Sequence, residues 1–181
     1  MAKVWRDAAT IILVAKDTFL AKSNRIFDYK ILLLKRSSKS KFMPNGAVYP
    51  GGVFSKSDFS LKWLDVANQV FGSEDIINAL LPSERILPNK VAPPAYLTPA
   101  VSDGLNPEIG LRITAIRETF EESGIPLLID ADYQNSDSAH LDIEDEILSR
   151  WRHEVQNNPD RFLDMCQELN VFPNISALYL W

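Results

Sequence analysis

The stretch Arg117-Glu118-Thr119-Phe120-Glu121-Glu122-Ser123-Gly124-Ile125 carries the most information about the fold of this 181-residue chain. Apolar residues upstream of it repeat at helical spacing, which predicts a helix over Leu111–Ser123. Gly124 suits the left-handed position after the last turn, and Pro126 prevents continuation. The apolar stripe of the helix consists of Ile113, Ile116 and Phe120.

Three glutamates of this helix fall on the face opposite the apolar stripe. Glu118, Glu121 and Glu122 lie three and four residues apart, so like charges become neighbours at a cost of about 0.2–0.5 kcal/mol per pair. They also lie in the last two turns, where the helix dipole disfavours anions. A hard divalent cation such as Mg²⁺ would offset both effects, because it takes carboxylate oxygens and keeps substrate phosphates as further ligands. The alternative is a solvated acidic face paired with Arg112 and Arg117, which the residues alone favour over a metal site.

The same stretch resembles the core of the Nudix box, R-E-x-x-E-E-x-G followed by an apolar residue. It matches five fixed residue identities within eight positions. The full pattern has a further glutamate eight residues before the arginine and a glycine six residues before that glutamate. Those positions hold Ile109 and Asp103 here, and Glu108 and Gly104 are each one residue away. We therefore assign no role to the front half of the box.

A second resemblance covers the segment from Leu32 to Gly52. It is similar to the signature of coenzyme A-cleaving Nudix enzymes, L-L-x-x-R-[SA]-x3-R-x3-G-x3-F-P-G-G. Three positions depart from it: Lys41 replaces arginine, Asn45 replaces glycine and Tyr49 replaces phenylalanine. Lysine keeps the charge without the planar fork, and asparagine tolerates positive φ better than most residues. By itself, the segment is equally compatible with a solvated basic loop before a turn.

Together these features resemble the peroxisomal acyl-coenzyme A diphosphatase branch of the Nudix hydrolase family. The resemblance implies an α/β (α+β) fold, namely the Nudix α/β/α sandwich with a mixed sheet. We expect a single Nudix domain over 1–181, with a helical and proline-rich insertion at about 53–107. Because members of the branch continue further, we expect this domain to be incomplete at its C-terminus.

The resemblance also assigns the site residues. It implies Mg²⁺ or Mn²⁺ bound by Glu118 and Glu122, with Glu121 as the third ligand. Arg117 would orient one of these glutamates through a charge-assisted hydrogen bond. The predicted catalytic set is therefore Arg117, Glu118, Glu121 and Glu122, and the predicted substrate-binding set is Arg36, Lys41, Gly51 and Gly52.

The implied activity is metal-dependent hydrolysis of the pyrophosphate bond of coenzyme A or acyl-coenzyme A. Its products would be adenosine 3′,5′-bisphosphate and (acyl-)4′-phosphopantetheine. Two alternatives stay open. The substrate could be ADP-ribose or another nucleoside diphosphate derivative, or the chain could be a truncated, non-catalytic Nudix module.

Other elements follow from periodicity and turn residues. One helix face should contain Leu61, Leu64, Asn68 and Phe71, with Gly72 ending that helix. Strands are predicted over Ala8–Ala15, Lys30–Lys35, Ile125–Ile129 and Ile175–Trp181, the first two forming a hairpin. Further helices are predicted from Ser73 to Leu81, from Ser138 to Gln156, and after Asn158-Pro159 through Leu169.

Composition excludes several classes of protein. With 24 Asp+Glu against 19 Lys+Arg, the net charge of −5 repels nucleic acid. The longest apolar stretch, Ala8–Ala15, is far shorter than the roughly 20 residues of a transmembrane helix. The single cysteine, Cys166, is expected to be a buried thiol, which favours a reducing compartment.

These features predict an intracellular location, which is peroxisomal by the family resemblance. The final residues Tyr179-Leu180-Trp181 differ from the peroxisomal Ser-Lys-Leu signal, so cytosolic and mitochondrial locations also stay open. A small-molecule pyrophosphate is the expected partner. The sequence does not predict an oligomeric state.

Overall fold

The structure is a computed structural model that describes residues 7–16, 28–40, 43–73, 104–132 and 141–179. Several predictions lie outside these residues. They concern the helix after Ser73, the proline-rich tract up to residue 103, the start of the helix at Ser138, and Lys41.

Within the described residues, eight short strands form four antiparallel pairs. They are β1 (Ala8–Thr10), β2 (Val14–Lys16), β3 (Tyr29–Ile31), β4 (Leu34–Lys35), β5 (Ala47–Val48), β6 (Gly51–Val53), β7 (Leu128–Ile129) and β8 (Phe172–Pro173). The pairs are β1 with β6, β2 with β3, β4 with β5, and β7 with β8. The β2–β3 pair confirms the predicted hairpin. The single strand predicted over Ala8–Ala15 is divided because the chain changes partner between β1 and β2. The described strands include no parallel pair.

Four α-helices and two 3₁₀ turns complete the described part of the fold. They are α1 (Lys62–Phe71), α2 (Pro107–Ser123), α3 (Asp145–Asn157), α4 (Arg161–Glu168), and the turns Lys56–Phe59 and Ile175–Ala177. The second turn lies where a strand was predicted over Ile175–Trp181, so that prediction was wrong at its start. Asn174 favours the turn, because its side-chain oxygen accepts a hydrogen bond from the N–H of Ala177 at 3.2 Å.

Helix α2 begins four residues before its predicted start. The Asn106 side chain accepts a hydrogen bond from the N–H of Glu108 at 2.9 Å, and Pro107 occupies the first helical position. The helix ends as predicted, since Gly124 has the left-handed φ of 80°. Pro107 therefore starts the helix rather than ending the proline-rich tract.

The core lies between α2, α1 and α4. Helix α1 buries Trp63, Val66, Ala67 and Val70, while Leu61 is 50% exposed. The apolar face predicted through Leu61 was therefore rotated away from the observed one. Trp63 meets Phe172 edge to face, with the ring centroids 5.8 Å apart. Cys166 is fully buried as predicted, and burial raises the pKa of its thiol well above the ordinary value.

A buried arginine fixes the segment after β8 on α2. The Nη1 group of Arg112 donates to the carbonyl oxygens of Ile175, at 3.0 Å, and of Leu178. Its Nη2 group donates to Glu108 Oε1 at 2.9 Å. The Nε group of Arg112 has no hydrogen-bond partner among the described residues.

Across the described ranges, no helix combines the length and apolar character needed to cross a membrane.

Candidate active site

The double glycine of β6 lies directly against the glutamate face of α2. The N–H of Gly51 donates a hydrogen bond to Glu122 Oε2 at 3.0 Å. A Cβ atom at Gly52 would lie 2.4 Å from Glu118 Oε2, and one at Gly51 would lie 2.3 Å from the carbonyl oxygen of Ala9. Gly51 also has φ of 151°, which other residues rarely adopt. Two carboxylates one helical turn apart therefore meet a backbone that only glycine allows to approach so closely.

Arg117 connects the glutamates to the rest of the fold. Its side chain is 1% exposed. The Nη1 group donates to Glu118 Oε1 at 3.0 Å and to Glu121 Oε1 at 2.5 Å. The Nε and Nη2 groups donate to the two carboxylate oxygens of Asp58, each at 2.9 Å, and Nη2 also donates to the carbonyl oxygen of Val53 at 3.0 Å. Through these contacts Arg117 holds two of the three glutamates, and the orienting role implied by the family resemblance stays a prediction.

Asp58 is a residue of this cluster that the sequence analysis missed. It is 1% exposed, and it also accepts hydrogen bonds from the hydroxyl of Thr114 at 2.9 Å and the N–H of Ser55 at 2.8 Å. The pattern Ser55-x-x-Asp58 is a recognisable capping signal, and the structure has a 3₁₀ turn there. That signal alone does not indicate contact with α2.

The position of Asp58 also bears on the missing front half of the Nudix box. Asp58 follows Gly52 by six residues, the spacing at which the pattern places its glycine and its first acidic residue. It contacts Arg117 across 59 positions of sequence rather than eight. Spacing and contact therefore favour Gly52 and Asp58, rather than residues 103–109, as the counterpart of the front half. The intervening segment contains α1.

The cluster contains more negative than positive charge. Burial raises the pKa of Glu118, against the opposing effect of Arg117, and the nearby Glu122 and Asp58 raise it further. Burial raises the pKa of Glu121 in the same way, again opposed by Arg117. Burial alone would lower the pKa of Arg117, but Asp58 and then Glu121 outweigh it and raise that pKa. A bound cation would relieve the excess charge.

The donor set fits a metal that shares its ligands with substrate. No three acidic, histidine or cysteine side chains converge closely enough to enclose an ion within the described part of the chain. Glu118 and Glu122 nevertheless lie together over the double glycine, while Glu121 is held by Arg117. Mg²⁺ is commonly bound by one or two carboxylates, with waters and substrate phosphates as its other ligands. The predicted pair Glu118 and Glu122 suits that mode, and Glu121 is linked to Glu118 by two hydrogen bonds from the Nη1 group of Arg117.

The predicted substrate loop forms a hairpin that leads into the double glycine. Its ends pair as β4 and β5, and the N–H of Arg36 donates to the carbonyl oxygen of Gly46 at 2.9 Å. Asn45 has φ of 59°, as expected for a residue that replaces glycine. The guanidinium of Arg36 bonds the hydroxyl of Ser40 at 3.0 and 3.3 Å, and Lys41 lies outside the described residues. The structure thus places Arg36 in the loop before the double glycine, where its guanidinium contacts Ser40.

Comparison with known families gives a direct match. The family model described as NUDT19 Nudix domain matches residues 5–181. The chain belongs to this Nudix family. Acyl-coenzyme A diphosphatase NUDT19 of Xenopus laevis is 40% identical, with the match covering 99% of this chain and 50% of the relative. The human protein of the same name is 31% identical, with 98% of this chain and 50% of the relative covered. The chain therefore spans about half the length of these curated relatives.

A solved structure supports the Nudix assignment at the level of the fold. The crystal structure of a NUDIX hydrolase from Alicyclobacillus acidocaldarius matches with a TM-score of 0.52 at 19% identity. The match covers 93% of this chain and 57% of the bacterial one. The predicted α/β Nudix fold and the predicted family are both confirmed.

Proposed function

We propose that this chain is the hydrolytic part of a metal-dependent acyl-coenzyme A diphosphatase. It would cleave the pyrophosphate bond of coenzyme A or acyl-coenzyme A, releasing adenosine 3′,5′-bisphosphate and (acyl-)4′-phosphopantetheine. The observation that carries the proposal is the placement of Glu118 and Glu122 against Gly51 and Gly52, at the end of the loop that resembles the coenzyme A signature. The names of the relatives support the same substrate class.

The side chains of the cluster have distinct proposed roles. Glu118 and Glu122 bind Mg²⁺ or Mn²⁺, and Glu121 is the third proposed ligand. When bound, the metal supplies charge neutralisation at the phosphates and a more acidic water. Arg117 keeps Glu118 and Glu121 in place by charge-assisted hydrogen bonds, and Asp58 fixes Arg117 from the opposite side.

The backbone and the loop complete the proposed site. The N–H of Gly51 holds the Glu122 carboxylate at the start of β6, so the metal-binding groups are preorganised before substrate arrives. Arg36 and Lys41 are proposed to contact substrate phosphates, because both are cationic residues of the loop that precedes the double glycine.

Product analysis tests the proposal directly. The purified chain would be incubated with Mg²⁺ and, separately, with coenzyme A, a medium-chain acyl-coenzyme A and ADP-ribose, and the products separated by chromatography. We expect adenosine 3′,5′-bisphosphate from the first two substrates. Glu122→Gln should reduce its release by roughly 100-fold or more, the size of effect seen when one charge-stabilising group is removed. Glu168→Gln is the matched control, because this glutamate of α4 is 59% exposed.

Each other outcome favours one of the alternatives. Cleavage of ADP-ribose alone would assign the chain to nucleoside diphosphate derivatives. A folded chain that binds Mn²⁺ without turning over any substrate would be a non-catalytic module. Turnover that survives in Glu122→Gln would contradict the proposed site.

Peroxisomal location is proposed from the family resemblance alone. Cell fractionation with immunodetection of the endogenous protein tests it. Enrichment with peroxisomal matrix markers would support the proposal, and recovery with the cytosol or mitochondria would contradict it.

A further inference from the structure

The C-terminal end of α2 is bonded from outside the helix. The last carbonyl groups of a helix have no partner within it. The N–H of Gly124 bonds the carbonyl oxygen of Phe120 at 2.8 Å. The next two carbonyls, of Glu121 and Glu122, accept from a single guanidinium of α3: Arg152 Nε at 3.0 Å and Arg152 Nη2 at 2.7 Å, respectively. The two residues held in this way both carry glutamates of the proposed site.

Core packing fixes the helix that presents this arginine. Trp151 and Val155 lie one turn apart on α3 and are buried. Arg152 and Gln156 each follow one position later, so they form a neighbouring stripe over the end of α2. The side-chain amide of Gln156 donates to the carbonyl oxygen of Glu121 at 2.6 Å. The guanidinium is therefore presented from an element anchored in the core.

The glycine that ends α2 gives Arg152 the room to approach. A Cβ atom at Gly124 would lie 3.3 Å from Arg152 Nη1 and 3.5 Å from its Cδ. The first of these contacts is tight, so a side chain at position 124 would require the guanidinium to shift by a few tenths of an ångström. Gly124 thus ends the helix with its positive φ and also leaves space for a residue that lies outside the Nudix box.

We propose that Arg152 is a positioning residue for the metal site. Its two hydrogen bonds fix the last turn of α2, and the Glu122 carboxylate is thereby held against the N–H of Gly51. Its positive charge also offsets the helix dipole, which disfavours carboxylates at this end. The inference rests on the proposed function, because it assigns Arg152 a role at that same site.

Three substitutions on α3 test this role. Arg152→Met removes both hydrogen bonds and the charge, and Arg152→Lys keeps the charge without the two-pronged geometry. Arg150→Met is the matched control on the same helix. That side chain is 59% exposed, and its ion pair with Glu168 Oε1 is long, at 3.4 Å. The measurements are Mn²⁺ affinity from the electron paramagnetic resonance signal of free Mn²⁺, kcat and KM for coenzyme A, and stability in urea.

We expect Arg152→Met to lower Mn²⁺ affinity and kcat by roughly 10- to 100-fold, as substitutions beside metal ligands do, while KM changes little. Arg152→Lys should recover part of the loss, and Arg150→Met should match the parent. A purely structural role would lower stability but leave the Mn²⁺ affinity and kcat of the folded fraction unchanged, which would overturn the inference.

Glu122→Gln separates this inference from the proposed function. One outcome would overturn only the inference about Arg152: the parent binds Mn²⁺, Glu122→Gln no longer binds it, and Arg152→Met binds it as the parent does. If the parent binds no Mn²⁺ and turns over no substrate, both are overturned.

Discussion

Helix α2 carries two buried arginines with opposite surroundings. Arg112 faces one carboxylate, that of Glu108, and two main-chain carbonyls near the end of the described chain. Arg117, five residues later, faces the carboxylates of Asp58, Glu118 and Glu121. Residue type, helix and burial are shared, so the difference lies in the balance of charge.

That balance distinguishes the structural contacts of Arg112 from the proposed metal site around Arg117. The ion pair of Arg112 with Glu108 is neutral. The other hydrogen bonds of Arg112, to the carbonyl oxygens of Ile175 and Leu178, fix the segment after β8 on α2. Around Arg117 the carboxylates outnumber the cation. Burial raises the pKa of Glu118 against the effect of Arg117, and the nearby Glu122 and Asp58 raise it further. The excess negative charge does not stabilise the folded chain by itself. It would, however, favour the binding of a divalent cation. The excess of carboxylates around Arg117, which Arg112 lacks, therefore supports the proposal of a cation there.

The largest effect is expected from removing the centre of the charged cluster. Arg117→Met should lower the free energy of unfolding by about 3–5 kcal/mol, because it leaves Asp58 buried without a cation. Urea denaturation measures the loss. Adding Asp58→Asn to Arg117→Met should recover part of it, since the unpaired charge is then gone. Arg150→Met, on the surface, should stay within about 0.5 kcal/mol of the parent. A loss below about 1 kcal/mol in Arg117→Met would mean that the cluster does not depend on this arginine.

The fold was predictable where the signals are local. The end of α2 follows from Gly124 and Pro126, and the family from the box and its neighbouring residues. The buried face of α1 was not predictable, because Leu61 and Leu64 give a periodic stripe as regular as the one through Trp63. Only packing against α4 and β8 selects between the two stripes, and that packing joins parts of the chain about 100 positions apart.

The site was predictable only on α2 itself. Glu118 and Glu122 share a face by helical geometry, and the resemblance to the box implied only that Arg117 orients one of the glutamates. Asp58 and Arg152 reach the cluster from 59 and about 30 positions away, so no sequence window contains either contact. The six-residue spacing from Gly52 to Asp58 was present in the sequence. It was not recognised, because the pattern places its acidic residue eight residues before the arginine and Asp58 precedes Arg117 by 59.

Two glycine substitutions compare the region around Arg117 with the region around Arg112. In each, an added Cβ atom would meet its nearest neighbour at the same distance. A Cβ atom at Gly52 would lie 2.4 Å from Glu118 Oε2, and one at Gly110 would lie 2.4 Å from the ring of Phe59. Gly110→Ala should destabilise the chain by about 1–3 kcal/mol through overpacking against the Phe59 ring, less about 1 kcal/mol from better helix propensity. Gly52→Ala should cost less than that overpacking, because the flexible end of the Glu118 side chain can move aside. Only Gly52→Ala should also weaken Mn²⁺ binding, because it displaces Glu118.

Titration of Mn²⁺ into both glycine variants provides the test. Equal Mn²⁺ affinity in the two would show that binding responds to general loosening of α2 rather than to the position of Glu118. Weaker binding in Gly52→Ala alone would locate the metal site in the Arg117 region.

The smallest effect should differ in sign between the two regions. In the absence of metal at pH 7, Glu118→Gln should raise the free energy of unfolding by about 0.2–0.5 kcal/mol, because it removes a like-charge neighbour of Glu122. Glu108→Gln should lower it by about 1–3 kcal/mol, since Arg112 is left without its carboxylate.

Burial raises the pKa of Glu118 above its ordinary value of 4.5, so the folded chain keeps that proton to higher pH than the unfolded chain. The resulting stabilisation is present below pH 4.5 and lost as pH rises through the raised pKa, whereas the glutamine side chain of the variant never ionises. The difference between Glu118→Gln and the parent should therefore vanish in acid and grow towards neutral pH. Urea denaturation in EDTA across that range measures it, and a Glu118→Gln variant less stable than the parent at pH 7 would mean that Arg117 fully compensates the charge of Glu118.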